Sequence, residues 1–256
     1  MKAASQEDQN ESTALEINKS FIKISAQDLV DIYEKISQQK DLISLKLELV
    51  NCQLQNDNLN RLTEHIVQNV NLQKLQLYLG CNQIQTQGIY NMSQQVADLI
   101  NLKYLVLSFG NCQIGSLGFL HIAYAISKLT NIKILRVYLW KCTLKNDYMN
   151  QIAEQIQCWK NILYLSLDLS NNRLNNEGVI AIAQSLSKLE NLKSLLLNME
   201  YNFYDSFGCF EIVKYLKLLK NLLYLNLNLL SLTINSQSIQ LIQQSCKKMK
   251  KLVFFR

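Results

Sequence analysis

The sequence predicts an α/β solenoid, with short parallel strands on a concave face and helices on a convex one. Three observations carry that expectation. The chain repeats every thirty residues without insertion or deletion, leucines alternate with a period of two in the first half of each unit, and apolar residues recur at spacings of three and four in the second.

The repeat is plainest in one column, where Asn71-Leu72, Asn101-Leu102, Asn131-Ile132, Asn161-Ile162, Asn191-Leu192 and Asn221-Leu222 follow one another. Asp41-Leu42 precedes them and Lys251-Leu252 follows, so seven full units run from 41 to 250 with a stub at 251–256. Ile24, Leu29, Ile32 and Ile36 fall in repeat columns while the strand half before them is degenerate. Residues 21–40 therefore read as an N-terminal cap, and 1–20 as a mobile tail.

Within a unit the strand comes first. Leu165, Leu167 and Leu169 alternate, which gives a strand one buried face. Next comes a column of Cys52, Asn82, Cys112, Cys142, Asn172 and Asn202, residue types that suit a buried ladder bonding the backbone of neighbouring turns. Leu232 replaces it in the last unit, as expected of an atypical capping repeat. The helix follows, with an apolar stripe such as Val179, Ile182, Leu186 and Leu189. Asp28, Asn58, Gly88, Gly118, Gly178, Gly208 and Ser238 stand ahead of the helices as expected N-caps, with Asp147 in place of Tyr148, and the Asn or Asp column at 41 to 221 is expected to supply left-handed C-caps.

Composition narrows the function classes. Hydrophobic residues make up 48% of the chain, which excludes disorder over most of its length. The net charge of +6 comes from dispersed lysines, without the basic stripe of a nucleic-acid binder, and its one dense run at Lys247, Lys248, Lys250 and Lys251 is better explained by a helix C-terminus than by a nuclear-import patch. There is no apolar leader and no apolar run long enough for a membrane span. Seven cysteines without a C-x-x-C pair point to a reducing compartment, hence cytoplasm or nucleus rather than secretion. Neither phosphate-loop nor nucleophile-elbow motifs occur, and His65 and His121 read as helix-face residues rather than as a base or a metal ligand.

Read together, N-L-x-x-L-x-L-x-L-x-x-N/C-x-L and the Ile-Ala pairs at 122-123, 152-153 and 182-183 resemble the leucine-rich-repeat family, most closely its ribonuclease-inhibitor-like type. The likeness covers 21–256, although each unit is about two residues longer than that type, which places a third Leu in the strand. It implies a horseshoe that binds another protein on its concave face, without catalysis, cofactor or metal. The alternatives are a scaffold fragment of a larger repeat protein, or an activator of the Ran type resting on Arg173 in the loop Asn171-Asn172-Arg173-Leu174.

Side chains between the core leucines face the concave side. Tyr78, Tyr104, Arg136, Tyr138, Trp140, Tyr164 and Asp168 stand there and form the expected partner-binding surface, since Tyr, Trp and Arg dominate interface hot spots. A shallow pocket is expected over Ser108, between Tyr78 and Tyr138, with Asp168 orienting Arg136 or meeting a basic partner. The closing KLVFF stub reads as an apolar edge strand that invites end-to-end self-association or cover by further sequence.

Overall fold

The structure is a computed structural model and describes residues 13–39, 41–231, 240, 241, 244 and 252–255. Strand and helix alternate as β1 (Ala14–Asn18), α1 (Ala26–Ser37), β2 (Ser44–Glu48), α2 (Asn56–Ile66), β3 (Lys74–Tyr78), α3 (Thr86–Val96), β4 (Tyr104–Ser108) and α4 (Gly115–Lys128). The series continues with β5 (Ile134–Tyr138), α5 (Met149–Ile156), β6 (Tyr164–Asp168), α6 (Asn176–Leu186), β7 (Ser194–Asn198), α7 (Ser206–Leu216), β8 (Tyr224–Asn228) and β9 (Leu252–Phe255). All nine strands form one parallel sheet in chain order. From β1 to β8 each residue pairs with the one thirty positions on, as Leu165 does with Leu195, so the period in sequence is a period in space.

The core lies between sheet and helices. Leu165, Leu167 and Leu169 are buried on the sheet side, and Val179, Ile182, Leu186 and Leu189 on the helix side, with the same columns buried in the other units. Each such side chain contributes on the order of 2 kcal/mol of burial. Strands close after five residues, yet the third leucine still belongs to the pairing: Leu49 donates its N–H to Tyr78 O at 2.9 Å.

The ladder column is buried and bonded across units. Asn172 Oδ1 accepts from the N–H groups of Cys142 (2.9 Å) and Leu144 (3.0 Å), and its Nδ2 donates to the carbonyls of Leu139 (2.8 Å) and Leu169 (2.9 Å). Asn82 and Asn202 repeat the arrangement. The thiols of Cys52, Cys112 and Cys142 fill the same slot, each donating to the carbonyl thirty-three residues back: Lys19, Leu79 and Phe109.

Both helix-end expectations are corrected. The N-caps of five helices are Ser25, Gln55, Gln85, Asn175 and Asp205, three residues before the column that was expected to cap, while α4 starts from Ile114 and α5 from Tyr148. Asp28 instead completes a capping box from inside the helix, and Asn58 Oδ1 accepts the N–H of Gln55 at 2.8 Å. Lys19 and Ser25 bond the Asp28 carboxylate and hold it well below the usual carboxylate range. The glycines of that column have a packing reason. A Cβ on Gly178 would lie 2.4 Å from Asn146 Oδ1, which accepts the N–H of Asn175 at 3.1 Å, and Gly88 and Gly208 meet Asn56 and Asn176 in the same way. Gly178→Ala should therefore cost about 1–3 kcal/mol by overpacking. A thermal midpoint equal to wild type would show that this contact yields freely.

Left-handed backbone falls in the turns after β1 to β7, at Phe21, Asn51, Cys81, Asn111, Lys141, Asn171 and Tyr201, not in the Asn column after the helices. That column works through its side chains. Asn101, Asn131, Asn161, Asn191 and Asn221 each donate Nδ2 to a carbonyl thirty-one residues back, at 2.8–2.9 Å.

The array also begins earlier than residue 21. Ala14–Asn18 is a strand in full register with β2, so the expected tail boundary at 20 is moved toward the N-terminus. At the other end β9 pairs with β8 as a closing strand, with Tyr224 opposite Leu252, two residues away from the thirty-residue register. Leu232, Ser238 and the Lys247–Lys251 run lie outside the described residues.

Candidate functional site

The side chains that leave the sheet opposite the core form three rows running across the strands. The N-terminal half of this face is closed by its own contacts. Lys46 bridges Glu16 and Glu48, and those bonds raise its pKa. Gln76 and Val106 in the middle row are buried. Tyr104 lies between two cations, with Lys74 Nζ 5.1 Å and Arg136 Cζ 5.7 Å from its ring centre. Tyr78 is half-buried beside Tyr104, Tyr138 and Arg136, and burial pushes its hydroxyl pKa up.

The face opens over β5 to β8. Ser166 is the smallest side chain of the middle row there, between Arg136 and Leu196, and two shallow depressions meet above it. One, of about 320 Å³, is walled by Ile134, Arg136, Tyr138, Tyr164 and Leu196. The other, of about 200 Å³, is lined by Tyr138, Asp168, Leu196, Asn198, Asn226 and Asn228. Tyr164 and Leu196 are 46% and 39% exposed, large apolar areas left to solvent between well-buried neighbours.

Of the residues expected to form a partner surface, Arg136, Tyr138, Tyr164 and Asp168 gather around these depressions. Tyr78 and Tyr104 flank them from the closed half. The depressions lie over Ser166 rather than over Ser108, because Arg136 leans toward Tyr104 and leaves the side facing Ser166 open. Asp168 does not orient Arg136: its Oδ1 accepts from the N–H (2.9 Å) and Oγ (2.7 Å) of Ser170 in the following turn. Trp140 does not project alongside Tyr138. It lies past the end of β5, where its indole fills the space a Cβ on Gly110 would take. Leu196 and the Asn198, Asn226 and Asn228 group were missed as a centre, though Leu195-Leu196-Leu197 is a visible break in the alternation.

Elsewhere, the buried thiols and both histidines are occupied structurally. Burial pushes the thiols of Cys112, Cys142 and Cys209 up to about 11, 12 and 12, which keeps them protonated. Cys81 is half-exposed beside Asn111, and Cys158 is exposed. On the helices, His65 stacks on Tyr33 at 4.9 Å with Ser37 Oγ bonded to its Nδ1, and His121 meets Tyr90 edge-on at 4.9 Å. Among the described residues no cluster of His, Cys, Asp and Glu could hold a metal ion, and no helix is long and apolar enough to cross a membrane.

No protein-family model and no curated protein matches the chain. Among solved structures, a protein from Bacteroides fragilis is similar over 90% of this chain and 72% of its own, with 13% identity and a TM-score of 0.51. Leiomodin-1 actin-binding site 2 is similar over 55% of this chain and 78% of its own (17% identity, TM-score 0.42). The protein of the TLR13–ssRNA13 complex is similar over 90% and 33% respectively (14% identity, TM-score 0.41). With its thirty-residue units, its buried Asn and Cys ladder and its single parallel sheet flanked by repeating helices, the chain is a leucine-rich-repeat solenoid.

Proposed function

We propose that this solenoid is a protein-interaction module that seats its partner on the concave face over β5 to β8. The observation that carries this reading is the pair of adjoining depressions walled by Tyr138, Tyr164 and Leu196, on a face whose other half is closed by internal pairs. Exposed aromatic and aliphatic groups beside an Arg have the composition of an interface centre. A protein partner fits better than a nucleic acid, because this half of the face carries one Arg together with the carboxylate of Asp168, which would repel a phosphate backbone. The ladder thiols and the absence of any disulfide among the described cysteines suit a reducing compartment such as cytoplasm or nucleus. Arg173, on which an activator reading would rest, is exposed at the loop edge and lines neither depression.

The test is affinity capture from the source cell, followed by titration of the recovered partner. Tyr138→Ala and Leu196→Asp should each weaken binding by about 2 kcal/mol, roughly thirtyfold, with melting curves close to wild type. Trp140→Ala should instead lower the melting midpoint while leaving affinity nearly intact, because the indole packs on Gly110. Undiminished capture by a Tyr138→Ala, Leu196→Asp double variant would move the interface off this face.

A further inference from the structure

Resting on that reading, we propose that the occupant is an extended peptide segment lying across the strands, with an acidic, a large apolar and a basic residue at alternate positions, acidic-x-apolar-x-basic. Three stations on the face define it. At the first, Arg136 is exposed, and among the described residues it has aromatic contact but no carboxylate. A planar guanidinium so placed is best completed by a carboxylate taken side-on. The second station is the floor over Ser166 between Tyr138, Tyr164 and Leu196, which takes an apolar side chain.

The third station offers acceptors. Ser170 engages only Oδ1 of Asp168, leaving Oδ2 without a described partner in the depression that Asp168 lines together with Asn198 and Asn226. A carboxylate set among side-chain amides calls for a cationic donor, so Lys or Arg completes the site.

Spacing selects the extended form and the alternate positions. Neighbouring strands are about 4.8 Å apart, and same-face residues about 6.6 Å apart along a strand, so a diagonal step from Ser166 toward Asn198 is about 8 Å. From Ser166 to the guanidinium, which leans over β4, is a similar distance. In an extended peptide, residues i and i+2 point the same way about 7 Å apart, which matches both steps. The charges at the stations are opposite, so a matching segment is neutral overall and gains nothing from the chain's net +6.

The probe is the capped, fluorescein-labelled pentapeptide Glu-Thr-Phe-Thr-Lys, titrated by anisotropy against the full chain. It should bind at least about tenfold more tightly than Glu-Thr-Phe-Thr-Glu, Lys-Thr-Phe-Thr-Lys or Glu-Thr-Ala-Thr-Lys. Preference over the doubly acidic control is decisive, because net charge alone would favour that control. Arg136→Glu, at an exposed position, should reverse the order so that Lys-Thr-Phe-Thr-Lys binds best, and Ser166→Leu should abolish binding of all four with circular dichroism unchanged. Equal affinity across the set, no saturable binding, tighter binding of a helix-spaced peptide with the same three residues four positions apart, or an order indifferent to Arg136→Glu would overturn the motif. If Ser166→Leu releases a captured protein that the pentapeptide cannot displace, the motif is wrong and the concave interface stands. If Ser166→Leu changes neither capture nor peptide binding, both fall.

Discussion

Leu167→Asp is expected to abolish the cooperative folding of the central units. Leu167 lies on β6 between Val137 and Leu197, all three buried, with the α5 and α6 stripes completing the core around them. Losing the leucine costs about 2–5 kcal/mol, and a carboxylate without a buried partner adds several more. Because strands and helices contact chiefly their neighbours in the series, damage at the middle separates the units before it from those after it. Total stabilities of about 5–15 kcal/mol leave little reserve for such a loss. Leu196→Asp, one position from the core-facing Leu197 on the next strand, puts the same carboxylate on the concave side and should leave the melt nearly unchanged. Circular dichroism melts of the two variants decide the matter. A Leu167→Asp midpoint within a few degrees of wild type would mean that the strand faces have been assigned to the wrong sides.

Much of this was legible because two periods determine it. Leucine alternation picks out which strand residues turn inward, and the spacing of Val179, Ile182 and Leu186 does the same for the helix. The ladder was legible for a similar reason, since amide and thiol share one buried column. Helix ends were not. An Asn beside a helix terminus can adopt left-handed backbone or donate its amide across a gap, and only the thirty-one-residue bonds of Asn101 and its equivalents show which it does here. The first strand escaped notice because Ile22 stands in the ladder column and Glu11-Ser12 in the Asn-Leu column, so only Leu15 and Ile17 mark it. At the candidate site, alternation assigns Arg136, Ser166 and Leu196 to one face, but the openings depend on which way long side chains lean. Arg136 leans onto Tyr104, Asp168 is drawn into the turn by Ser170, and Trp140 settles on Gly110.

Asn172→Ala should be among the most damaging single changes that leave the apolar core intact. Its side chain serves two N–H groups of the preceding unit and the carbonyls of Leu139, Leu169 and Ser170, in a site almost closed to water. Truncation leaves those groups buried and unpaired at about 1–3 kcal/mol each, so a total loss of about 4 kcal/mol or more is expected. The chain itself supplies the comparison. Cys142, thirty residues earlier, donates its thiol to Phe109 O at 3.1 Å, which is the counterpart of the Asn172 bond to Leu139 O, while the N–H of Cys112 turns to Phe109 O at 3.0 Å. Asn172→Cys should keep the bond between units and fill most of the volume while accepting more weakly, and so lose roughly half as much as Asn172→Ala. Denaturant melts should therefore rank wild type above Asn172→Cys and Asn172→Cys above Asn172→Ala, with unchanged slopes. Equal losses for the two variants would show that the thiols hold their column by volume alone, and that hydrogen bonding is not what joins one unit to the next at Cys52, Cys112 and Cys142.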